Sequence, residues 1–222
     1  MSLSPFRDYS NVFVVDHPLV QVYLSEIRDR NAEKSRFQKV TRKLTSFLVD
    51  RVTADLEIEG GFTVETPLDV QAPAFRLKGR VAMVPILRAA LRMMEAAEDL
   101  LPRDTPIWFY GAKRDEHTFR ADRYYDDHIP NPIPNDFQMV IVADPMLATG
   151  GTAGDACTFF KERGAKRLAY IGLIAAPEGI KHMQERHPDV SVYVCAVDEC
   201  LNDRAYIVPG LGDAGDRGFN TD

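Results

Sequence analysis

Residues 144–152 read Asp-Pro-Met-Leu-Ala-Thr-Gly-Gly-Thr. An acid is followed by two hydroxyl residues that bracket a glycine pair, and no lysine lies among them. The stretch leaves an apolar run, Val140–Ala143, and enters a helix-like run from about Thr152. Gly150 and Gly151 let the backbone turn sharply and present N–H groups. The following helix adds its unpaired first-turn N–H groups and the positive end of its dipole. With the hydroxyls of Thr149 and Thr152, these donors form a cup suited to a phosphate monoester. Asp144 would stand one loop length away, where a carboxylate accepts hydrogen bonds from sugar hydroxyls. A Walker loop needs a lysine after its last glycine, and a dinucleotide fingerprint needs G-x-G-x-x-G; both patterns are missing here. A bare glycine pair after a strand is more often plain turn geometry. Asp-Pro joined to Thr-Gly-Gly-Thr is far more specific.

The rest of the chain must hold this stretch at the end of a sheet. Two helical stripes fill residues 18–52: Leu19, Val20, Tyr23, Leu24 and Ile27, then Phe37, Val40, Leu44, Phe47, Leu48 and Val52. Glu59-Gly60-Gly61 breaks that pattern, and Thr63–Val70 alternates like an edge strand. Short apolar strands then alternate with helices. The strands are expected at Val81–Ile86, Ile107–Tyr110, Gln138–Ala143, Leu168–Ala175 and Val190–Ala196. The helices are expected at Leu87–Leu101, about Thr152–Arg163 with a Gly164 stop, and Pro177–Arg186. This rhythm predicts an α/β fold, a mostly parallel central sheet covered by helices on both faces. In such sheets ligands bind beyond the carboxyl ends of the strands, where residues 144–152 begin. Residues 112–136 are polar and proline-bearing and read as an arm or lid. Residues 199–222 read as a cap over the sheet end. The expected organisation is therefore one domain over 1–222: an N-terminal helical and edge region at 1–80, an α/β core at 81–198 and the cap.

Composition narrows the function. The 222 residues are 45% hydrophobic, enough for one sizeable core. No apolar run is long enough to span a membrane, and the N-terminus shows no apolar signal core. Three cysteines without CxxC spacing favour a reducing, cytoplasmic setting over a disulfide framework or zinc site. A net charge of −6 argues against nucleic acid as a partner. None of the five histidines forms a pair with metal spacing, and each reads as structural.

Asp144–Thr152 resembles the phosphoribosyl-diphosphate (PRPP) loop of uracil phosphoribosyltransferases, members of the type I phosphoribosyltransferase superfamily. Val84-Pro85-Ile86-Leu87-Arg88-Ala89 resembles the family's pyrophosphate loop, and Ala175–Ile180 matches another of its blocks. The run from Tyr206 to Arg217, Y-I-V-P-G-L-G-D-A-G-D-R, matches its uracil-binding tail. His17–Val20 and Thr53–Leu56 agree as well, so the likeness covers nearly the whole chain.

The resemblance implies transfer of the 5-phosphoribosyl group from PRPP to uracil N1, giving UMP and pyrophosphate with Mg2+. It assigns Asp144, Pro145, Met146, Leu147, Ala148, Thr149, Gly150, Gly151 and Thr152 to PRPP, together with Arg88, Arg114 on the arm, and Asp213. It assigns Ile207, Gly212, Asp213 and Ala214 to uracil. Asp213, Arg88 and Asp144 are the candidate catalytic residues, and Asp213 would meet Mg2+ mainly through PRPP. A homo-oligomer, dimer or tetramer, and a GTP effector are further family expectations. Alone, Lys113–Glu116 would read as a solvated charge run. Asp216 reads equally as a ligand or as a residue that braces its turn, and Tyr206 is expected to pack rather than stack on the base. Ala90 and Arg92 stand where the family usually has glycine; Ala90 is expected to tighten the pyrophosphate loop. Asn220 is expected to replace a left-handed glycine. Trp108-Phe109-Tyr110 is bulkier than the family pattern before the arm. The competing class is a non-catalytic or drifted paralogue, a regulator that binds uracil, UMP or PRPP.

Overall fold

A computed structural model describes residues 5–6, 9–114 and 121–221, with side chains left out at 5, 113–114 and 121–123. Strands β1 (Pro5–Phe6) and β2 (Tyr9–Val14) lead into helices α1 (Pro18–Arg28) and α2 (Lys34–Val52). Proline suits the first turn of α1, and the His17 ring caps it by accepting the Leu19 N–H at 3.1 Å. Strands β3 (Ile58–Glu65) and β4 (Gln71–Leu77) follow, then β5 (Arg80–Leu87) and α3 (Leu91–Leu100). The hairpin β6 (Tyr110–Arg114) and β7 (Ala121–Tyr125) precedes β8 (Phe137–Ala143), the short β9 (Met146–Leu147) and α4 (Gly151–Glu162). The chain ends with β10 (Leu168–Ala175), α5 (Pro177–Arg186), β11 (Ser191–Val197), β12 (Cys200–Leu201), β13 (Ile207–Val208) and α6 (Ala214–Phe219).

The main sheet runs β1-β2-β11-β10-β8-β5-β6-β7. Its interior pairs, from β2 to β6, are parallel, and antiparallel pairs close both edges. All of β10 is buried, as a central strand covered on both faces must be. One core layer joins the sheet to α1, α2 and α3 through residues such as Ile27, Leu44, Leu48, Met93 and Ile171. The other joins it to α4 and α5 through Phe160, Ile180 and Met183. The bulky Trp108 and Tyr110 belong to this second layer. Trp108 lies 5.0 Å from Phe137 and 6.1 Å from Phe160, and Tyr110 lies 5.4 Å from Phe159. They fill the corner where the sheet edge meets α4. Among the described residues no helix is long and apolar enough to cross a membrane.

Several boundaries differ from expectation. The single edge strand at Thr63–Val70 is a two-stranded hairpin, β3–β4, separate from the main sheet. Glu59-Gly60-Gly61 lies inside β3 as an irregularity, with Gly61 at φ 98°. The helix expected from Leu87 begins at Leu91, because residues 88–90 form a turn at the end of β5. The strand expected at Ile107–Tyr110 starts at its last residue and runs on to Arg114; Ile107 makes only an isolated bridge to Met83. Residues 112–136, read as a polar arm or lid, contribute Ile129 and Ile133 to the second layer. The arm therefore grows from a strand of the main sheet and returns through the core.

Candidate functional site

Strand β8 delivers Asp144 to the carboxyl end of the sheet, and the chain then crosses to pair β9 with β10. Leu147 is 1% exposed, and its carbonyl accepts the Ala176 N–H at 2.9 Å, so this residue supports the loop from within. Gly150 caps α4 at φ 79°, a left-handed conformation that favours glycine. The first turn of α5 presses on the same loop, since a β-carbon on Gly179 would lie 2.5 Å from the Ala148 carbonyl oxygen.

A cleft of about 810 Å³ opens above this loop. Five separate segments line it, one of them only through Ala112 of β6. Arg88 and Ala89 come from the turn after β5, Asp144 to Met146 with Ala148 and Thr152 from the loop into α4. Residues 203–206 come from the β12–β13 turn, and Asp213 to Asp216 from the start of α6. Arg88, Asp144, Pro145, Met146, Ala148, Thr152, Asp213 and Ala214 therefore meet in one place. Thr149, Gly150 and Gly151 sit beside the lining, on the turn into α4. Ile207 is buried within β13, and Gly212 is exposed next to Asp213. Arg114 closes β6, but its side chain lies outside the described atoms, as does all of His117.

The cleft is acidic before a ligand enters: Asp144, Asp203, Asp213 and Asp216 line it against Arg88 and Arg204. Asp144 keeps a partly exposed face yet is surrounded by protein. Burial pushes its carboxyl from 3.8 up to about 7; a hydrogen bond from the Met146 N–H opposes this, and the Asp213 charge adds to it. Asp213 caps α6 by accepting the Asp216 N–H at 2.9 Å. Asp216 also accepts the Thr221 hydroxyl at 2.6 Å, which braces the tail. Tyr206 does not pack: its side chain stands 43% exposed on the cleft.

The positions that depart from the family pattern are all accommodated. Ala90 is fully buried at φ −79°, where a side chain costs nothing, so its methyl fills the core rather than tightening the loop by strain. Arg92 leaves the cleft, pairing with Glu95 and lying 4.9 Å over the Phe219 ring. Asn220 takes the left-handed backbone expected of it, at φ 60°.

The uracil phosphoribosyltransferase family model matches residues 14–221. The chain belongs to the uracil phosphoribosyltransferase family. A uracil phosphoribosyltransferase of Staphylococcus aureus (strain Newman) is 46% identical over 213 residues, covering 96% of this chain and 99% of the relative. The solved AQ2163 protein from Aquifex aeolicus superposes with a TM-score of 0.86 at 32% identity, covering 95% of this chain and 98% of that one. An adenine phosphoribosyl transferase from Trypanosoma brucei, solved with AMP, pyrophosphate and ribose-5-phosphate, shares the fold: TM-score 0.56, 15% identity, 89% and 87% covered. This family's sheet and helices are thus the frame that carries the cleft.

Some residues around the site carry no local signal in the sequence. Arg28 on α1 grips Asp198 through both carboxylate oxygens at 2.6 and 2.7 Å, across 170 positions of sequence. Tyr170 donates its hydroxyl to the Asp144 carbonyl at 2.9 Å from within a strand that reads as uniformly apolar. Arg217 was visible only as the last letter of the tail motif.

Proposed function

We propose that this chain transfers the 5-phosphoribosyl group from PRPP to N1 of uracil, as a pentosyltransferase of pyrimidine salvage. The carrying observation is the convergence of Arg88, Asp144, Thr152 and Asp213 on one cleft in a chain that matches the family throughout. In the reaction the bond from C1′ to the pyrophosphate oxygen breaks, and its electron pair leaves with pyrophosphate. The C1′–N1 bond forms, and the N1 proton is lost. Catalysis then rests on donors held in advance where charge develops on the leaving group.

The loop 149–152 and the first turn of α4 hold the 5′-phosphate, while Asp144 accepts from the ribose hydroxyls. Arg88 meets the pyrophosphate oxygens, for which its planar fork is suited. The remaining acids, Asp213 first among them, would help hold a hard divalent cation brought by the anionic substrate, and Mg2+ there would supply neutralisation of phosphate charge. Among the described residues no cluster of three or more acids, histidines or cysteines is spaced to hold a metal alone. Backbone groups around Ile207 and Gly212–Ala214 read the acceptor–donor–acceptor edge of uracil. A base with the wrong edge leaves a buried polar group unpaired. Arg114 reaches PRPP from the arm; Arg114→Ala then raises the KM for PRPP, and an unchanged value removes it from the site.

Residues 1–222 act as one unit, and the exposed apolar side chains of the β3–β4 hairpin, among them Ile58, Val64, Leu68 and Phe75, support a homo-oligomer. GTP as an effector is tested by assaying with and without it. The purified protein, given PRPP and Mg2+ with uracil, orotate, hypoxanthine or cytosine in separate reactions, is expected to form nucleotide from uracil. Absence of UMP overturns the reading and favours a binding regulator.

A further inference from the structure

The base-reading tail sends Ile207, Leu211 and Ala214 into the core layer, and two arginines tie its backbone to the C-terminal end of α1. Arg28, the last residue of α1, makes its two-pronged bond to Asp198 and also donates to the Gly210 carbonyl at 2.7 Å. Asp198 is 9% exposed and accepts the Gly210 N–H at 2.9 Å. Both backbone groups of Gly210 are therefore held by one ion pair. Gly210 itself is at φ 65°, and a β-carbon there would lie 2.1 Å from the Ile207 carbonyl oxygen. The turn is too tight for any other residue.

The second arginine holds the next residue of the tail. Arg217 donates at 2.6 Å to each of three carbonyls: Ile27 and Asp29 at the end of α1, and Leu211 in the tail. Its guanidinium also lies 4.6 Å from the Phe37 ring centre on α2. The carbonyls at a helix C-terminus lack partners within the helix and carry partial negative charge, so a guanidinium is a favourable cap. Arg28 and Arg217 thus pin the consecutive residues Gly210 and Leu211, immediately before Gly212, Asp213 and Ala214.

We propose that Arg28, Asp198 and Arg217 are positioning residues for the base. In this reading the affinity for uracil, and its preference over cytosine, depends on the end of α1 rather than on the phosphate-binding half of the cleft. The inference rests on the proposal that residues 207–214 take uracil. A loop that reads a base through its backbone must have that backbone fixed beforehand, because ordering it on binding subtracts from affinity. Neither arginine lines the cleft, so neither is a catalytic residue.

The test compares Asp198→Asn, Arg28→Lys and Arg217→Lys in the full chain, with KM measured separately for uracil and PRPP. Lysine keeps the charge but not the fork that bridges several acceptors. The expected result is a uracil KM raised about tenfold, the equivalent of one charge-assisted hydrogen bond, with the PRPP KM within about twofold of wild type. Equal changes in both constants, or an unchanged uracil KM, overturn the proposal. Should the variants not fold, hydrogen exchange on the wild type decides: UMP binding must slow exchange at residues 27–31 as well as at 207–214. Protection confined to 207–214 overturns it too. A wild type that forms no UMP defeats the underlying reaction, whereas a normal wild type with uniformly impaired variants defeats only the positioning role.

Discussion

Gly179 and Ala148 are in backbone contact: a β-carbon added to the first would stand 2.5 Å from the carbonyl oxygen of the second. The Leu147 carbonyl is nearly as close, at 2.6 Å. Helix α5 is thereby pressed against the loop proposed to hold the 5′-phosphate. Gly179→Ala must push that loop aside. Overpacking of this kind costs about 1–3 kcal/mol, and the KM for PRPP is expected to rise more than that for uracil. Denaturant unfolding and steady-state kinetics check both; a lost stability with an unchanged PRPP KM would free the loop from this contact.

Asp213→Asn separates structure from chemistry. Asparagine caps a helix about as well as aspartate, so α6 and the thermal midpoint should survive. Turnover is expected to fall about a hundredfold, as when one preorganised charge-stabilising group is removed. Turnover equal to wild type would exclude Asp213 from the reaction.

Asp144 should leave a mark on stability. Its carboxyl is raised by burial from 3.8 to about 7, so the folded protein holds a proton that the unfolded chain releases. The stability tied to that proton is complete below the unfolded value and is lost as pH rises through the folded one. Unfolding free energies of wild type and Asp144→Asn, without ligand, should therefore diverge between about pH 4 and 7, with wild type losing ground. A constant difference across that range would show that the carboxylate is not buried as described.

Trp108→Ala should damage the fold and spare the site. Trp108 is 6% exposed and packs between Phe137 and Phe160. Emptying such a position costs about 3–5 kcal/mol. Both KM values should stay within about twofold of wild type at a temperature where the variant is folded.

Phe75 is 65% exposed and Phe62 39% exposed on the β3–β4 hairpin. If the hairpin joins subunits, replacing both with serine lowers the mass measured by light scattering. An unchanged mass would move the interface elsewhere.

Elements with strong local signatures were readable in the sequence. Helix α5 and strand β10 fall on their expected residues because proline starts the one and an unbroken apolar run makes the other. The β3–β4 hairpin was not readable, because its apolar residues point outward and its glycines sit within a strand. The start of α3 was misplaced because Arg88, Ala89 and Ala90 suit a helix by type, whereas the cleft edge needs a turn there. Within the site, Asp144, Thr152, Asp213 and Arg88 could be named from motifs. The bonds that tie Arg28 to Asp198 and Arg217 to the end of α1 could not, since they link positions 170 and 190 residues apart that only folding brings together.

The arm and the turn carrying Arg88 begin on adjoining rungs of one ladder, Ile86 with Tyr110 and Leu87 with Gly111. Exchanging side chains along either strand leaves that adjacency in place, while adding one residue at the root would turn every following side chain to the opposite face. A reporter group or extra loop length therefore belongs between β6 and β7, away from the ladder, where it can be carried without displacing Arg88.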